Sequence, residues 1–256
     1  MGVIFFMFGV IKIINIDHCI KIFNEYCDKY DMNNPKIKQR YNHTFRVMKI
    51  SHNIASSLNL SNEEILLSEL IGLLHDIGRF YQITTYENIS DKKTIDHADY
   101  GCEILFNDNL IEKLNIDNKY YEIIKKSIRN HNKVTLENNM NDKELLFSKI
   151  IRDADKLDIL YLIGNEDELP KKIEDVTNTC KNYFLEGKII PYHCIESSGD
   201  KVLIYLCYIY DINYKYSFNH IKENSLYEDI YNKLDNKHLF DKYFTNVYQY
   251  VNERIW

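Results

Sequence analysis

A chain of 256 residues, 45% hydrophobic and 27% charged, is long enough for one large domain or two small ones with a real apolar core. A net charge of −6 without a long basic stripe argues against a broad nucleic-acid surface, although a small phosphorylated ligand needs only a few local Arg and Lys side chains. Eight glycines and three prolines are too few for many tight turns, so long helices are favoured over short strands.

The chain opens on an apolar run, residues 1–14 (MGVIFFMFGVIKII). A membrane-spanning helix needs about 20 such residues. This run is shorter, is cut by Lys12, and lacks both a basic leader and a small-residue cleavage site. It is expected to pack on the core, or to precede a later start at Met7 or Met32, with a membrane anchor as the alternative. Asp17 to Tyr30 carries Ile20, Ile22, Phe23, Tyr26 and Cys27 at amphipathic helical spacing. Pro35 opens a second helix, to about Leu58, that carries His43 and Arg46.

Ser61 and Glu64 form a capping box. It starts a helix through Ile65, Leu66, Leu67, Leu70, Ile71, Leu73 and Leu74 that delivers His75-Asp76 at its end, with Gly78 as the expected terminator. Residues 80–94, with Tyr81 and Tyr86, are expected to form a loop that lines a site or packs locally. Further helices are expected from Asp96-His97 to about Asn107, from Lys119 to Asn132 with His131, and from Asn141 to Ile163 with Asp153, Asp155, Lys156 and Asp158. Three more follow, at Pro170–Leu185, about Lys201–Ile221 and Leu239–Arg254. The expected fold class is all-α, and the expected organisation is an N-terminal segment (1–34), a core (35–165) and a C-terminal helical extension (166–256) of the same domain.

Cys19, Cys27, Cys102, Cys180, Cys194 and Cys207 contain no CxxC pair. They are read as reduced, mostly buried thiols of a cytoplasmic protein. His18, His52, His193, His220 and His238 are read as structural. His75-Asp76 stands apart, because its carboxylate follows a nearly continuous apolar run, and a buried carboxylate needs a metal or a cationic partner. Asp155 lies in a stripe with Ile151, Asp158 and Leu162 and poses the same problem.

The order His43, then His75-Asp76, then Asp155 resembles the H…HD…D signature of the HD-domain superfamily of metal-dependent phosphohydrolases. The words around them agree: His43-Thr44-Phe45-Arg46-Val47, Gly72-Leu73-Leu74-His75-Asp76-Ile77-Gly78-Arg79-Phe80 and Asp153-Ala154-Asp155-Lys156-Leu157-Asp158. The resemblance covers about Pro35 to Ile163. It implies an HD-type helical bundle in which His43, His75, Asp76 and Asp155 bind a first divalent ion, with Asp153 a supporting or surface group.

Two-metal branches of the superfamily add histidines in the interval that holds His97 and His131. Asp76 would then bridge two ions, with His97 and His131 on the second. The rival is a single ion, with one of those histidines touching phosphate or acting as an acid. The mixed imidazole and carboxylate set suits Mn, Fe, Co, Ni, Zn or Mg rather than a dedicated calcium site. His75 and Asp76 would carry catalysis, with Arg79 and Lys156, and less strongly Arg46, as phosphate contacts. Asp96 is a weak candidate for orienting His97.

The implied activity is cleavage of a phosphate ester of a nucleotide or other small phosphorylated substrate by metal-activated water. The Gly-Tyr-Pro element of cyclic-dinucleotide phosphodiesterases is missing, and no synthetase, regulatory or helicase domain accompanies the core. A small stand-alone hydrolase is expected, without a stable nucleic-acid partner or membrane attachment and compatible with a homo-oligomer. The alternatives are a non-catalytic metal or nucleotide sensor and a di-iron oxygenase of HD type.

Overall fold

Local sequence accounts for where most helices begin. The structure, a computed structural model of the chain, describes residues 13–166, 169–170 and 173–255. The expectations for residues 1–12 lie outside them; of the last two residues of that apolar run, Ile14 is buried and Ile13 exposed.

Asn15 caps α1 (Ile16–Cys27), and Asn34 caps α2 (Pro35–Ser57), with Pro35 in its first turn. The Ser61–Glu64 capping box starts α3 (Asn62–Leu74), and α4 (Ile77–Tyr86) follows almost at once. Asp96 caps α5 (His97–Cys102), which runs on into a single π turn, Glu103–Asn107. A short α6 (Leu110–Lys113) and a 3-10 turn lead into α7 (Tyr121–Asn130). A second capping box, Asn141 with Glu144, starts the long α8 (Asp142–Asn165). Beyond it lie α9 (Asn178–Leu185), α10 (Ser198–Cys207), α11 (Lys215–Glu223), α12 (Leu226–Lys233) and α13 (Asp241–Asn252). The described residues contain no strand, so the fold is all-α. None of their helices is long and apolar enough to cross a membrane. All six cysteines are free, and five are buried.

Two apolar clusters share α8. The first holds the buried faces of α1 to α7 and the first half of α8, including Phe23, Leu70, Phe80, Ile124, Phe147 and Ala154. The second begins at Leu157 and takes in α9 to α13, including Phe184, Leu203, Tyr227 and Phe244. The changeover falls between Ala154 and Leu157, where the polar pair Asp155-Lys156 sits.

Several expectations are corrected. Residues 80–94 are not all loop. Ile77, Phe80 and Ile83 recur at i, i+3 and i+6, and their burial holds α4 together. Gly78 does not end a helix. It lies in the first turn of α4, where the backbone of α5 comes so close that a Cβ would stand 2.2 Å from the His97 carbonyl oxygen and 2.9 Å from the Gly101 nitrogen. This approach sets where His97 enters the core. The helix expected from Pro170 begins only at Asn178, on the cap of Thr177. The helix expected at 201–221 is broken in two, because the backbone amides of Asn213 and Tyr214 turn aside to bind the Asp153 carboxylate at 3.0–3.1 Å. The separate α12 was not expected.

Gly78→Ala should therefore destabilise the fold by about 1–3 kcal/mol, since backbone rather than a flexible side chain must yield. Gly101→Ala should cost less, because its nearest neighbour is the Ile77 Cγ2 methyl at 3.3 Å. Chemical unfolding of the two variants beside the wild type measures the difference.

Candidate metal centre

His75 and Asp76 occupy the junction of two helices. His75 is the C-cap of α3, and Asp76 is the residue that precedes α4. Asp76 has backbone angles of φ −103° and ψ 16° and makes no capping bond, so its carboxylate is free to turn inward. The two adjacent side chains thereby reach one point, which neighbours within a single straight helix would not do.

Around that point the structure brings together His43 from α2, Asp155 from α8, His97 from the start of α5 and His131 from the end of α7. All four histidines are buried. Asp76 Oδ2 lies 3.6 Å from His43 Nε2 and 3.9 Å from His75 Nε2. Its other oxygen, Oδ1, lies 3.2 Å from His97 Nε2 and 3.7 Å from His131 Nε2. Asp155 Oδ1 completes the first group, 3.2 Å from His43 Nε2 and 3.6 Å from His75 Nε2. Within each half the imidazoles meet through Nε2, at 3.3 Å for His43 and His75 and at 3.0 Å for His97 and His131.

Every one of these histidines has an acceptor for its Nδ1 proton. His43 Nδ1 is 2.6 Å from Asp158 Oδ2, and His97 Nδ1 is 2.8 Å from both oxygens of Asp91. His75 and His131 use carbonyls three residues back, Gly72 at 2.8 Å and Ile128 at 2.7 Å, which the C-terminal turns of α3 and α7 leave available. With Nδ1 protonated, each Nε2 presents a lone pair to the centre. Facing lone pairs at 3.0–3.3 Å repel unless a cation lies between them. Ligands about 2.1 Å from an ion stand roughly 3.0 Å apart at right angles and roughly 3.4 Å apart at the tetrahedral angle. The donor spacing therefore fits divalent ions, and His43, His75 and Asp76 on one side and Asp76, His97 and His131 on the other are each grouped closely enough to hold one.

The ionisation states agree with this chemistry. Burial works against the charged form of Asp76, but His75, His131 and His97 hold its carboxyl well below the usual range. Burial likewise opposes Asp155, which His43 and His75 keep ionised. Burial pushes His43 down, but its bonds to Asp155 and Asp158 outweigh that and raise it to about 9.

The surrounding charges are more specific than sequence alone suggested. Arg46 does not face an open site: its Nε donates to Asp158 Oδ1 at 2.6 Å and its Nη2 to Asp158 Oδ2 at 3.0 Å, so it holds the group that orients His43. Asp96 does not orient His97. It caps α5 through Ala98 and Asp99 and pairs with Lys133. Asp91 does the work instead, steadied by Arg79 Nη1 at 2.9 Å and Gln82 Nε2 at 3.0 Å. It was missed because it lies in a loop with no periodicity to mark it. Arg40, also missed, places Nη1 3.6 Å from Asp76 Oδ2.

Arg79 Nε lies 3.6 Å from Asp76 Oδ1 and is buried without a hydrogen-bond partner among the described residues. Lys156 is buried with Nζ 2.7 Å from Asp211 Oδ2, and burial and the neighbouring Arg152 push its ammonium below its ordinary range. Arg152 shares Asp211 and donates to the carbonyls of Asn130 and Lys133, each at 2.6 Å, which clamps the segment bearing His131. Asp153 is no surface group: it is buried and accepts bonds from Asn213, Tyr214 and Ser217. Tyr81 packs at a tilt on Tyr100, with ring centroids 4.5 Å apart, and meets Tyr86 edge-on, so these rings pack locally.

Asp158→Asn and Asp91→Asn should each weaken metal binding about 10- to 100-fold, because both keep the side-chain shape while removing the charge behind a ligand imidazole, and Asp158→Asn should also lower stability by weakening the buried pair with Arg46. Asp96→Asn should leave affinity near wild type. Direct metal titration of the three variants checks this order. Metal-free His43 carries a proton below about pH 9 that an ion must displace. Apparent affinity should accordingly fall as the pH is lowered below that value, and binding should release protons. Calorimetric titration in buffers of different ionisation enthalpy counts them.

The family model for the HD domain matches residues 40–160, a span that contains His43, His75, Asp76, His97, His131 and Asp155. A crystal structure of a predicted HD superfamily hydrolase from an uncultured Thermotogales bacterium is 27% identical over 55% of this chain and 68% of that one, with a TM-score of 0.40. No curated protein matches the chain significantly. The chain carries an HD domain, residues 40–160.

Proposed function

We propose that the chain is a metal-dependent phosphohydrolase with a two-ion centre, acting on a phosphate ester of a nucleotide or another small phosphorylated molecule. The observation that carries this reading is the division of Asp76, with Oδ2 turned to His43 and His75 and Oδ1 turned to His97 and His131. Asp155 joins the first pair. His43, His75, Asp76 and Asp155 would hold one ion, and Asp76, His97 and His131 the other. Divalent ions so held supply Lewis acidity toward a phosphoryl oxygen and acidify water near neutral pH.

The charge balance favours an anionic substrate. Asp76, Asp91, Asp155 and Asp158 stand against Arg40, Arg46, Arg79 and Lys156, four carboxylates against four cations, with Arg152 and Asp211 cancelling beside them. The protein groups are thus close to neutral, and two divalent ions would leave a strongly positive centre that a phosphoryl group neutralises. Arg79 Nε, the buried donor without a partner among the described residues, is suited to a ligand oxygen. Lys156 is held by Asp211 and adds a buried cation next to Asp155 in sequence. Turnover of a phosphate ester separates the reading from a non-catalytic sensor. Hydrolysis without oxygen consumption separates the reading from a di-iron oxygenase.

Metal analysis of the wild type, reconstituted in turn with Mn, Fe, Co, Ni, Zn and Mg, should find two ions per chain for a competent metal. Asp76→Ala should lose both ions and at least 10³-fold in turnover, whereas His97→Ala should keep one ion (the activity loss on the order of the several kcal/mol that a metal supplies). Turnover of p-nitrophenyl phosphate, bis-p-nitrophenyl phosphate and a nucleotide panel supplies the second readout. A single ion that survives Asp76→Ala would sink the bridging assignment, and a fully loaded protein inert on the whole panel would sink the hydrolase.

A further inference from the structure

The segment after α9 brings a side chain to the centre from outside the HD domain. Pro191 leads into a single 3-10 turn, Tyr192–Cys194, beside the buried Ile190. Tyr192 is 59% exposed, yet its hydroxyl is surrounded by protein and lies close enough to Arg79, Asp155 and Asp91 to feel their charges. Arg79, Asp155 and Asp91 all border the HD centre, so Tyr192 lies beside that centre with part of its surface open to solvent. The Tyr192 hydroxyl meets the Tyr208 hydroxyl at 2.8 Å. Tyr208 is buried, and its ring lies 5.7 Å from Lys156 Nζ, directly after the ligand Asp155.

Two hydroxyls bring two protons, and their mutual bond uses one. Neither hydroxyl meets a further acceptor among the described residues. Tyr208 is buried, and its proton would go unpaired unless given to Tyr192. The remaining proton then belongs to Tyr192, the more exposed of the two. A ring held on one side by a rigid partner, with a spare donor over a positively charged centre, is suited to an anionic oxygen.

We propose that Tyr192 is a ligand-contacting residue whose hydroxyl, aligned by Tyr208, donates a hydrogen bond to an anionic oxygen of the phosphoryl group at the HD centre. This rests on the phosphohydrolase reading above. Part of the substrate contact would then come from the C-terminal helices rather than from the HD domain, with Tyr208 acting as a positioning residue.

The test uses the full-length, Mn-loaded protein with inorganic phosphate as the probe, followed by calorimetry. Tyr192→Phe keeps the ring and removes only the hydroxyl. It should leave metal content and melting temperature unchanged and raise the phosphate Kd about tenfold or more. Tyr208→Phe should raise it about threefold, since the donor remains but loses its alignment. On whichever p-nitrophenyl ester is turned over, Tyr192→Phe should raise KM more than it lowers kcat. Wild-type phosphate affinity and KM in Tyr192→Phe would overturn the proposal while leaving the hydrolase reading intact. A wild type that binds no phosphate and turns over no ester with any of the six metals would overturn that reading, and this proposal with it.

Discussion

The molecule is organised around charges that one helix must bury. Between residues 152 and 158 of α8, Arg152, Asp153, Asp155, Lys156 and Asp158 are all sequestered from water. An isolated buried ion costs several kcal/mol, so each of these side chains obliges another segment to supply a partner. Asp158 draws in Arg46 and His43 from α2, and Asp155 takes His43 and His75. Arg152 and Lys156 recruit Asp211, while Asp153 arrests the chain at Asn213 and Tyr214. The same seven residues thus join the two apolar clusters and build the polar centre at their seam. The residues that join the two clusters are thus the ones that build the centre.

The histidines show a second economy. Two of the four are backed by carboxylates, Asp158 and Asp91, and two by carbonyls that helix ends leave without intrahelical partners. Each half of the centre has one of each kind. A carboxylate behind an imidazole raises its basicity, and a carbonyl fixes its tautomer with less effect on charge. The pairing keeps every Nε2 aimed at Asp76 without stacking four extra negative charges into a buried space. It also makes the centre depend on the ends of α3 and α7, so fraying of either helix would release a ligand.

Much of this was legible before the tertiary structure. Capping residues Ser61 and Asn141 mark the starts of α3 and α8, and the apolar spacing between them carries the helical fold. The ordered residues His43, His75, Asp76, His97, His131 and Asp155 stood out by type and context, and all six face one point. Where sequence reasoning failed, the missing information was long-range. Residues 77–86 form a helix because three side chains find burial, and no cap announces it. The C-terminal helix at 201–221 breaks because a carboxylate about 60 residues earlier claims two amides.

By itself, then, the amino-acid order determined the helical character of the chain, the starts of its main helices and the set of side chains able to bind metal, since each follows from local periodicity and local chemistry. The tertiary structure alone decided which partner completes each of them. Asp91 rather than Asp96 backs His97. Arg46 serves Asp158 rather than a ligand, and Asp211 holds Arg152 and Lys156 from beyond the HD domain. The physical reason is that a buried polar atom must find a partner wherever the packed chain brings one within about 3 Å, and that distance carries no trace in the sequence.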